Sequence, residues 1–515
     1  MNRLNKLFCL FLRDQRGQVL PIAGLMMFVI TAMIGLVVDV GHIYLCQREL
    51  QASSDAAALA GAEIIPTATT AAAVYAKATA YSSTTGAANV YKNMTNITMV
   101  SGYPILKCLS TMQTQGISCV GPLSYNSIQV MQQAVVPLYF ARIIGRSSMT
   151  ISATSTAAKG GASSRPYNVA LVLDTTYSEI SYDSDCGNSQ MLCTLQGVQI
   201  LLNQLDPCGT SVTTCSVTSG QATNSVVRVG IFTFPQMVTS TVSSDYDCSS
   251  NTPANTVYTF PIPGAGTYAP SSSTYRVLDF QSDYRVGDTS TSLNQASNLT
   301  KAVGGFSGCT GIYPATSASQ SNFQATSGQY GTYYPSTIYA AQSSLIHEQT
   351  LFPDSQNVMI IIGDGNATAP QTNNGYPVMS TTASVSATPG ASTLAGTSSG
   401  LYPSWNGECG QAITAANFAT SQGTRVYTVA YGSPSAGCAS DQSGQGKIPG
   451  LYPNVLPCNE MAQMASASYY FFSDFKQSGS GSVCTAAQVM VELSDIFLQI
   501  AGDLTVARLI PNSTT

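Results

Sequence analysis

A run of twenty residues without a charged side chain, residues 19–38, most constrains how this chain folds. Its length matches the ~20 apolar residues that a helix needs to cross a bilayer, and it exceeds the roughly 7–15 apolar residues of a signal peptide. Residues 1–17 carry four basic side chains against one acid, which favours the cytoplasm for this end. We therefore predict a cytoplasmic basic segment at 1–17 and an uncleaved transmembrane helix at 18–40. A cleaved signal peptide is the alternative.

The composition excludes several classes of function. Charged residues make up 9% of the chain, the net charge is -5 and no basic run follows residue 17, so no nucleic-acid partner is expected. The only histidines are His42 and His347, which argues against a histidine-rich zinc enzyme and a Ser-His-Asp hydrolase. Because no nucleophile–base pair and no phosphate-binding loop stands out either, we expect no enzyme and no catalytic residues.

The cysteines indicate an oxidising compartment. The chain has 14 of them, and many are close in sequence without forming a C-x-x-C pair of the kind that binds zinc. We predict disulfides, which requires export of the region that carries them, with unpaired structural cysteines as the alternative. The pairing itself cannot be read from the sequence, even for close neighbours such as Cys108 and Cys119, Cys186 and Cys193, and Cys208 and Cys215.

Between the apolar run and residue 160 the sequence favours a small α+β module. Residues 41–64 are rich in good helix formers, so the transmembrane helix is predicted to continue beyond the bilayer as a stalk. From residue 89 the pattern becomes β-like, with Ile128 and Val130 alternating with polar neighbours. We assign 41–160 to this stalk and module, and the segment from Lys159 to Pro166 to a linker.

Short motifs in the first sixty residues resemble TadG-like proteins of the Tad/Flp pilus-assembly system. The matching residues are Arg16-Gly17, Val38-Asp39-Val40-Gly41, Leu50-Gln51 and the run DAAALAGA at residues 55–62. The resemblance implies a single-pass protein of the bacterial inner membrane with a cytoplasmic N-terminus and the bulk of the chain periplasmic or exposed at the cell surface. It also implies other pilus-assembly subunits as partners.

Residues 167–510 alternate strands with helices, which predicts a doubly wound, mostly parallel sheet covered on both faces. A buried strand is expected before Asp174, another near 357–363 and a third from Arg425, while residues 485–509 are predicted to form a last amphipathic helix. Long insertions at about 236–330, with Cys248 and Cys309, and at about 366–408 interrupt the pattern. Loops longer than about 15 residues in a compact domain are usually functional or disordered, and we expect ordered loops here that either provide an adhesive surface or only decorate the domain.

Oxygen-bearing side chains follow two of these strands. Asp174, Thr176 and Ser178 stand at alternate positions after the first, and Asp364 directly follows the second. The carboxyl ends of parallel strands are where open α/β sheets place their ligands. Carboxylate and hydroxyl oxygens suit a hard cation, so Mg²⁺ is predicted, with Ca²⁺ and Mn²⁺ as alternatives. A strand that runs into a polar turn is the competing interpretation.

The order of these elements resembles a von Willebrand factor A domain with its metal-ion-dependent adhesion site. That family uses an Asp-x-Ser-x-Ser loop, a threonine from a second loop and an aspartate from a third. Here Thr176 replaces the first serine, and Asp364 matches the third loop. Thr332, directly before a predicted helix, matches the second loop, and Thr310 is its rival.

The two resemblances together imply a membrane-anchored component of a Tad/Flp-type pilus assembly or adhesion system. It is expected to bind a protein partner or an extracellular surface through a metal-dependent A-type domain. The alternative is a structural scaffold of pilus assembly whose A domain binds no metal.

Overall fold

A computed structural model describes most of the chain as two compact units. The described residues are 19–66, 68, 70–82, 94–113, 117, 119, 123–162, 166–209, 213–234, 246–249, 253, 256–258, 261–262, 266–267, 275–290, 292–313, 332–368, 372–373, 376–377, 407–442, 454–474, 483–486, 488–489, 492–504 and 506–512. The predicted cytoplasmic segment 1–17, parts of the predicted insertion 236–330 and most of the predicted insertion 366–408 lie outside them. The smaller unit comprises residues 1–112, 125–159 and 507–515, and the larger one comprises 113–124 and 160–506.

The helices and main strands are numbered in chain order. The helices are α1 Val19–Ile64, α2 Ala71–Thr79, α3 Ser110–Gln113, α4 Gln190–Gln204, α5 Asn298–Ala302, α6 Tyr334–Leu351, α7 Glu408–Ser421, α8 Pro457–Met464 and α9 Leu493–Leu504. The strands are β1 Thr95–Met99, β2 Ile105–Lys107, β3 Ser127–Pro137, β4 Ser148–Ala162, β5 Tyr167–Asp174, β6 Val227–Phe234, β7 Thr256–Tyr258, β8 Tyr275–Gln281, β9 Gln356–Gly363, β10 Arg425–Ala430, β11 Phe471–Ser473, β12 Gln488–Val489 and β13 Val506–Ile510. Short two-stranded ribbons and 3₁₀ turns occur between them.

The smaller unit is a sheet against which α1 packs. Its strands are ordered β1-β3-β4-β13, with β2 pairing on β3, and the β3–β4 ladder is a long antiparallel hairpin from Ser127 to Ala162.

The last strand, β13, shows that the prediction of a single helix at the end of the chain is wrong. Residues 485–509 do not form one helix, because α9 ends at Leu504 and β13 enters the sheet of the smaller unit. Since Ala507 and Ile510 bury their side chains there and β13 pairs through its backbone, sheet pairing outweighs local helix propensity.

Small residues let α1 approach this sheet closely. A Cβ at Gly61 would lie 2.7 Å from the Cδ1 atom of Ile128, and Ala57, Ala58 and Ala62 on the same helix are fully buried. Nearer the N-terminus of the same helix, Gln51 donates to Asp55 Oδ1 (2.8 Å) and to Ser155 Oγ (2.8 Å), and Ser155 donates to Asp55. The DAAALAGA run therefore supplies a close helix–sheet contact, and Gln51 and Asp55 satisfy the polar atoms at its edge.

Helix α1 runs without interruption for 46 residues, which confirms the predicted continuation beyond the apolar run. In the described part of the chain it is the one helix that is long and apolar enough to cross a membrane, as judged by length and composition alone. The large side chains of its apolar run are exposed, as for Leu25 at 66% and Val37 at 70%. Among the described residues, few side chains cover that surface, so it is available to a bilayer.

Asp39 joins α1 to the loop that follows β3. Its carboxylate accepts hydrogen bonds from the backbone N–H groups of Tyr139 (2.8 Å), Phe140 (3.1 Å) and Ala141 (2.6 Å), at the start of the 3₁₀ turn Ala141–Ile144. The Asp39 side chain is 3% exposed. One turn earlier the ring of Phe140 rests on Gly35, where a Cβ would lie 2.7 Å from Cγ of that ring. The aspartate of the Val-Asp-Val-Gly motif thus caps a turn and fixes it to the helix.

The larger unit is built on an eight-stranded mixed sheet in the order β7-β8-β6-β5-β9-β10-β11-β12. The six strands from β6 to β12 in this order are parallel, while β8 and β7 are antiparallel additions. Val172 and its neighbours on one face pack with α6 and α7, and Leu171 and its neighbours on the other pack with α4 and α9. The predicted mixed α/β architecture with an N-terminal apolar helix is confirmed.

Strand β5 is central, and all eight of its residues are buried. The chain passes from β5 to β6 on one side of it and later returns to β9 on the other side. The strand order therefore reverses between β5 and β9. In open α/β sheets, the crevice at the carboxyl ends of two such strands is the usual place for a ligand.

Disulfides hold the larger unit together, as the cysteine pattern predicts. The bonded pairs are Cys186–Cys193, Cys208–Cys215, Cys248–Cys309, Cys409–Cys438 and Cys458–Cys484. Cys108 and Cys119 are disulfide-bonded as well. Two of the bonds, Cys186–Cys193 and Cys208–Cys215, link neighbours seven residues apart, a pairing that the sequence left open.

The contact between α4 and α9 generates a matched pair of variants. A Cβ at Gly197 on α4 would lie 2.3 Å from the ring of Phe497, whereas a Cβ at Gly502 on α9 would meet nothing within 4 Å. We expect Gly197→Ala to lower the free energy of unfolding by about 1–3 kcal/mol through overpacking. Gly502→Ala should raise it by up to about 1 kcal/mol, because alanine is the better helix former. Denaturant unfolding of the detergent-solubilised chain measures both, and equal effects would contradict the described packing.

Candidate metal centre

Two aspartates lie at the carboxyl ends of the central strands. Asp174 is the last residue of β5, and Asp364 directly follows β9, which pairs with β5 in parallel register through Leu173 and Ile362. A Cβ at Gly363 would lie 3.2 Å from Asp174 Oδ2 and 2.5 Å from the hydroxyl oxygen of Tyr334. Glycine at this position therefore lets the second strand pass close to the first carboxylate.

The loop after β5 turns its hydroxyls towards Asp174. Thr176 donates to Asp174 Oδ1 from its backbone N–H (2.8 Å) and from Oγ1 (2.6 Å), and its Oγ1 lies 2.9 Å from Ser178 Oγ. Tyr177, the residue between the two hydroxyls, is 41% exposed. The Asp-x-Thr-x-Ser spacing thus produces a contiguous row of oxygen-bearing side chains from Asp174 to Ser178.

Thr332 completes the cluster from a second segment. It lies two residues before α6, is 3% exposed, and donates from Oγ1 to Thr176 Oγ1 at 3.4 Å. Thr310, the rival threonine, instead lies on a two-stranded ribbon and donates to Asp247 Oδ2 at 2.7 Å. All five residues expected from the sequence, Asp174, Thr176, Ser178, Thr332 and Asp364, therefore stand on the segments that meet at this end of β5 and β9.

The electrostatics of the cluster are unfavourable to two bare negative charges. Burial, and next the charge of Asp364, raise the pKa of Asp174 to about 8, although hydrogen bonds from Thr176 oppose this shift. Burial raises the pKa of Asp364 to about 6, against a hydrogen bond from the Asn366 N–H. Asp174 Oδ2 is buried and has no hydrogen-bond partner among the described residues. A cation between the strands would satisfy this oxygen and neutralise both carboxylates.

Sequence reasoning missed three groups at this edge of the sheet, Glu179, Tyr334 and Asp474. Glu179 is 2% exposed, and its pKa is raised well above the usual value by burial and by the charges of Asp174, Asp364 and Asp474. The hydroxyl of Tyr334 accepts a hydrogen bond from the Gly365 N–H (2.8 Å). Glu179 could have been found because it follows Ser178 directly. Asp474 follows a strand of only three residues, which is too short to recognise by pattern.

A disulfide fixes the loop that carries Asp364. The carbonyl oxygen of Gly365 lies 3.6 Å from Cys438 Sγ and 3.9 Å from Cys409 Sγ, and these two cysteines are bonded to each other. The Cys438 N–H also donates to Asn366 Oδ1 at 2.9 Å. The residues immediately after Asp364 are therefore held from two sides, which limits how far its carboxylate can move.

Comparison with known families concerns the smaller unit. Residues 17–64 match the family described as putative Flp pilus-assembly TadE/G-like, and residues 47–157 match the family described as putative Tad-like Flp pilus-assembly. This chain carries Tad-type pilus-assembly domains. The matches confirm the resemblance read from the first sixty residues. They extend it through β4, and Asp39, Gln51 and Asp55 of the contacts described above lie within them.

Similar solved structures are distant. Two forms of the pilus adhesin SpaC from Lactobacillus rhamnosus GG are 11% and 12% identical, cover 74% of this chain, and give TM-scores of 0.30 and 0.31. Proximal thread matrix protein 1 from the mussel byssus is 13% identical over 67% of this chain and 49% of that protein, with a TM-score of 0.25. This chain spans about a third of SpaC, 32% and 33% in the two forms. No curated protein matches. Sequence identities and TM-scores this low support no conclusion about the function of this chain.

The raised pKa of Asp174 makes stability depend on pH. Since the folded state holds a proton on this carboxyl up to about pH 8, and the unfolded chain only up to its ordinary value near 4, the folded state binds more protons in that window. Without divalent cations, we expect the free energy of unfolding to fall as pH rises from 5 to 8, by about 1.4 kcal/mol per pH unit for each such proton.

Asp174→Asn supplies the control, because asparagine cannot titrate. Denaturant unfolding in the presence of a chelator should show that the free energy of unfolding of this variant depends less steeply on pH. The difference should correspond to the titration of up to one proton. The same slope in both proteins would mean that Asp174 is not the group responsible.

Proposed function

We propose that the chain is a membrane-anchored component of a Tad/Flp-type pilus assembly and that its larger unit binds a partner through a metal-dependent site. The matches to two pilus-assembly families support the first part. The buried and unpartnered Oδ2 atom of Asp174, close to a second carboxylate and to hydroxyls, is the single observation that carries the second part.

The donor set fits a hard divalent cation. Two carboxylates offer the negative charge and Thr176, Ser178 and Thr332 offer neutral oxygens, which together suit Mg²⁺, or else Mn²⁺ or Ca²⁺, better than a soft metal. Burial and the neighbouring acids raise the pKa of Glu179 well above its usual value, so it would sit beside them in its neutral form. The two aspartates would neutralise a bound divalent cation, and the cation would keep an open coordination position. A carboxylate of a partner protein or surface can then complete the coordination.

This donor set is the basis for assigning the larger unit to the von Willebrand factor A type. The mixed sheet with helices on both faces, the reversal of strand order between β5 and β9, and the three loops that meet there are consistent with that assignment. We propose that the unit acts by binding and not by catalysis, because its oxygens are arranged for a cation and no nucleophile–base pair accompanies them in the described residues.

The apolar helix supports a place in the bacterial inner membrane. We propose that residues 19–38 of α1 span the bilayer once, that residues 1–17 stay in the cytoplasm, and that the disulfide-bonded units lie on the periplasmic or outer side. Twelve cysteines in disulfides require an oxidising environment, which agrees with this topology. Partners are then other pilus-assembly subunits in the membrane and a protein or surface ligand outside.

Calorimetry of the detergent-solubilised full chain with Mg²⁺ or Mn²⁺ tests the metal site. We expect binding that is lost in Asp364→Ala, because one of the two charged ligands is removed.

A pair of threonine variants tests which threonine belongs to the metal site. Thr332→Val should weaken binding by about tenfold, the loss of one ligand contact of about 1.4 kcal/mol. Thr310→Val should leave it unchanged, and the reverse pattern, or no binding to the native chain, would contradict the assignment.

A cellular assay separates binding from scaffolding. We expect Asp174→Ala to abolish adhesion to a partner or surface while pili are still assembled, because the smaller unit that carries the Tad-type domains is intact. If both adhesion and piliation are unchanged, the scaffold with a metal-free A domain is the better account.

A further inference from the structure

The turn that Asp39 fixes to α1 points to a second membrane contact outside the transmembrane helix. We propose that residues 139–146 insert into the interfacial layer of the bilayer beside α1, with the acyl chains of phospholipids covering Ile143 and Ile144. This inference rests on the proposed membrane anchor.

The position of the turn along α1 is set by two contacts. The ring of Phe140 rests on Gly35, and the carboxylate of Asp39 holds the backbone at the start of the turn. Gly35 lies three residues inside the end of the uncharged run, which corresponds to about 4.5 Å of helix. A bilayer that surrounds the run up to residue 38 must therefore also meet the ring that rests on it.

The surface of the turn is apolar where the protein would otherwise face water. Ile143 is 83% exposed and Ile144 is 82% exposed, and Tyr139 beside them is 59% exposed. Two consecutive isoleucines at this exposure are unfavourable in water, since burial of an apolar side chain is favourable. The exposed residues of α1 at the same height, Leu36 and Val37, continue this apolar surface.

The polar groups of the turn match the headgroup layer. Arg142 and Arg146 are exposed, and neither forms an ion pair with any described residue. Their long stems can follow apolar surface while the guanidinium groups reach phosphate oxygens. The rings of Tyr139 and His42 lie 5.0 Å apart just beyond the apolar run, where aromatic side chains are enriched at membrane interfaces. Basic, aromatic and aliphatic side chains thus occur in the combination typical of interfacial segments.

Tryptophan fluorescence in vesicles tests the contact. The native Trp405 is replaced by Phe in the full chain, one new tryptophan is introduced, and the protein is reconstituted into phospholipid vesicles with brominated acyl chains. We expect Ile144→Trp to show blue-shifted emission and roughly half or more of the quenching seen for Leu25→Trp in the middle of the run. Leu509→Trp is the matched control and should not be quenched. Leu509 is 43% exposed, and Asn512 near it donates to the Thr154 carbonyl at the height of Gln51.

Each outcome decides one part of the proposal. Quenching at Leu25→Trp without quenching or a blue shift at Ile144→Trp would overturn the membrane contact of the turn and leave the anchor intact. A blue shift at Ile144→Trp without quenching would mean that protein, such as a second copy of the chain, covers the turn, which also overturns it. Absence of quenching at Leu25→Trp would refute the anchor and the inference together.

Discussion

The repulsion between Asp174 and Asp364 is the constraint on which the account of the larger unit depends. Parallel pairing of β5 and β9 brings the two carboxylates to the same edge of the sheet, and burial removes the water that would otherwise stabilise their charges. Such an arrangement costs the fold stability unless protons or a cation neutralise it. The close approach at Gly363 and the hydroxyls of Thr176 and Ser178 keep oxygen atoms near this point.

In the smaller unit the carboxylate of Asp39 has a structural role. Asp39 is satisfied by three backbone N–H groups and needs no cation, so it serves to attach a turn to α1. The surrounding contacts are steric, since glycine and alanine let α1 approach both the turn and the sheet. The residues that make these contacts lie within the stretches that match the pilus-assembly families.

Much of this could be predicted from the sequence because the signals are local. The uncharged run, the buried strands before Asp174 and Asp364, and the hydroxyls spaced at alternate positions are readable within a few residues of each other. The features that sequence reasoning missed depend on strand pairing between residues far apart in the chain. β13 was expected to be helical, and only its partner β4, more than 300 residues earlier, makes it a strand. Asp474, whose charge raises the pKa of Glu179, follows β11, and the three residues of that strand carry no recognisable period.

Anomalous diffraction from crystals of the chain grown with Mn²⁺ tests the central claim most directly. The account predicts one strong anomalous peak within coordination distance of both Asp174 and Asp364 and of the Thr176, Ser178 and Thr332 hydroxyls. It also predicts that crystals of Asp364→Ala lack that peak. An ordered site between β5 and β9 in which the two aspartates are bridged by a proton or a water molecule, with no peak at millimolar Mn²⁺, would contradict it.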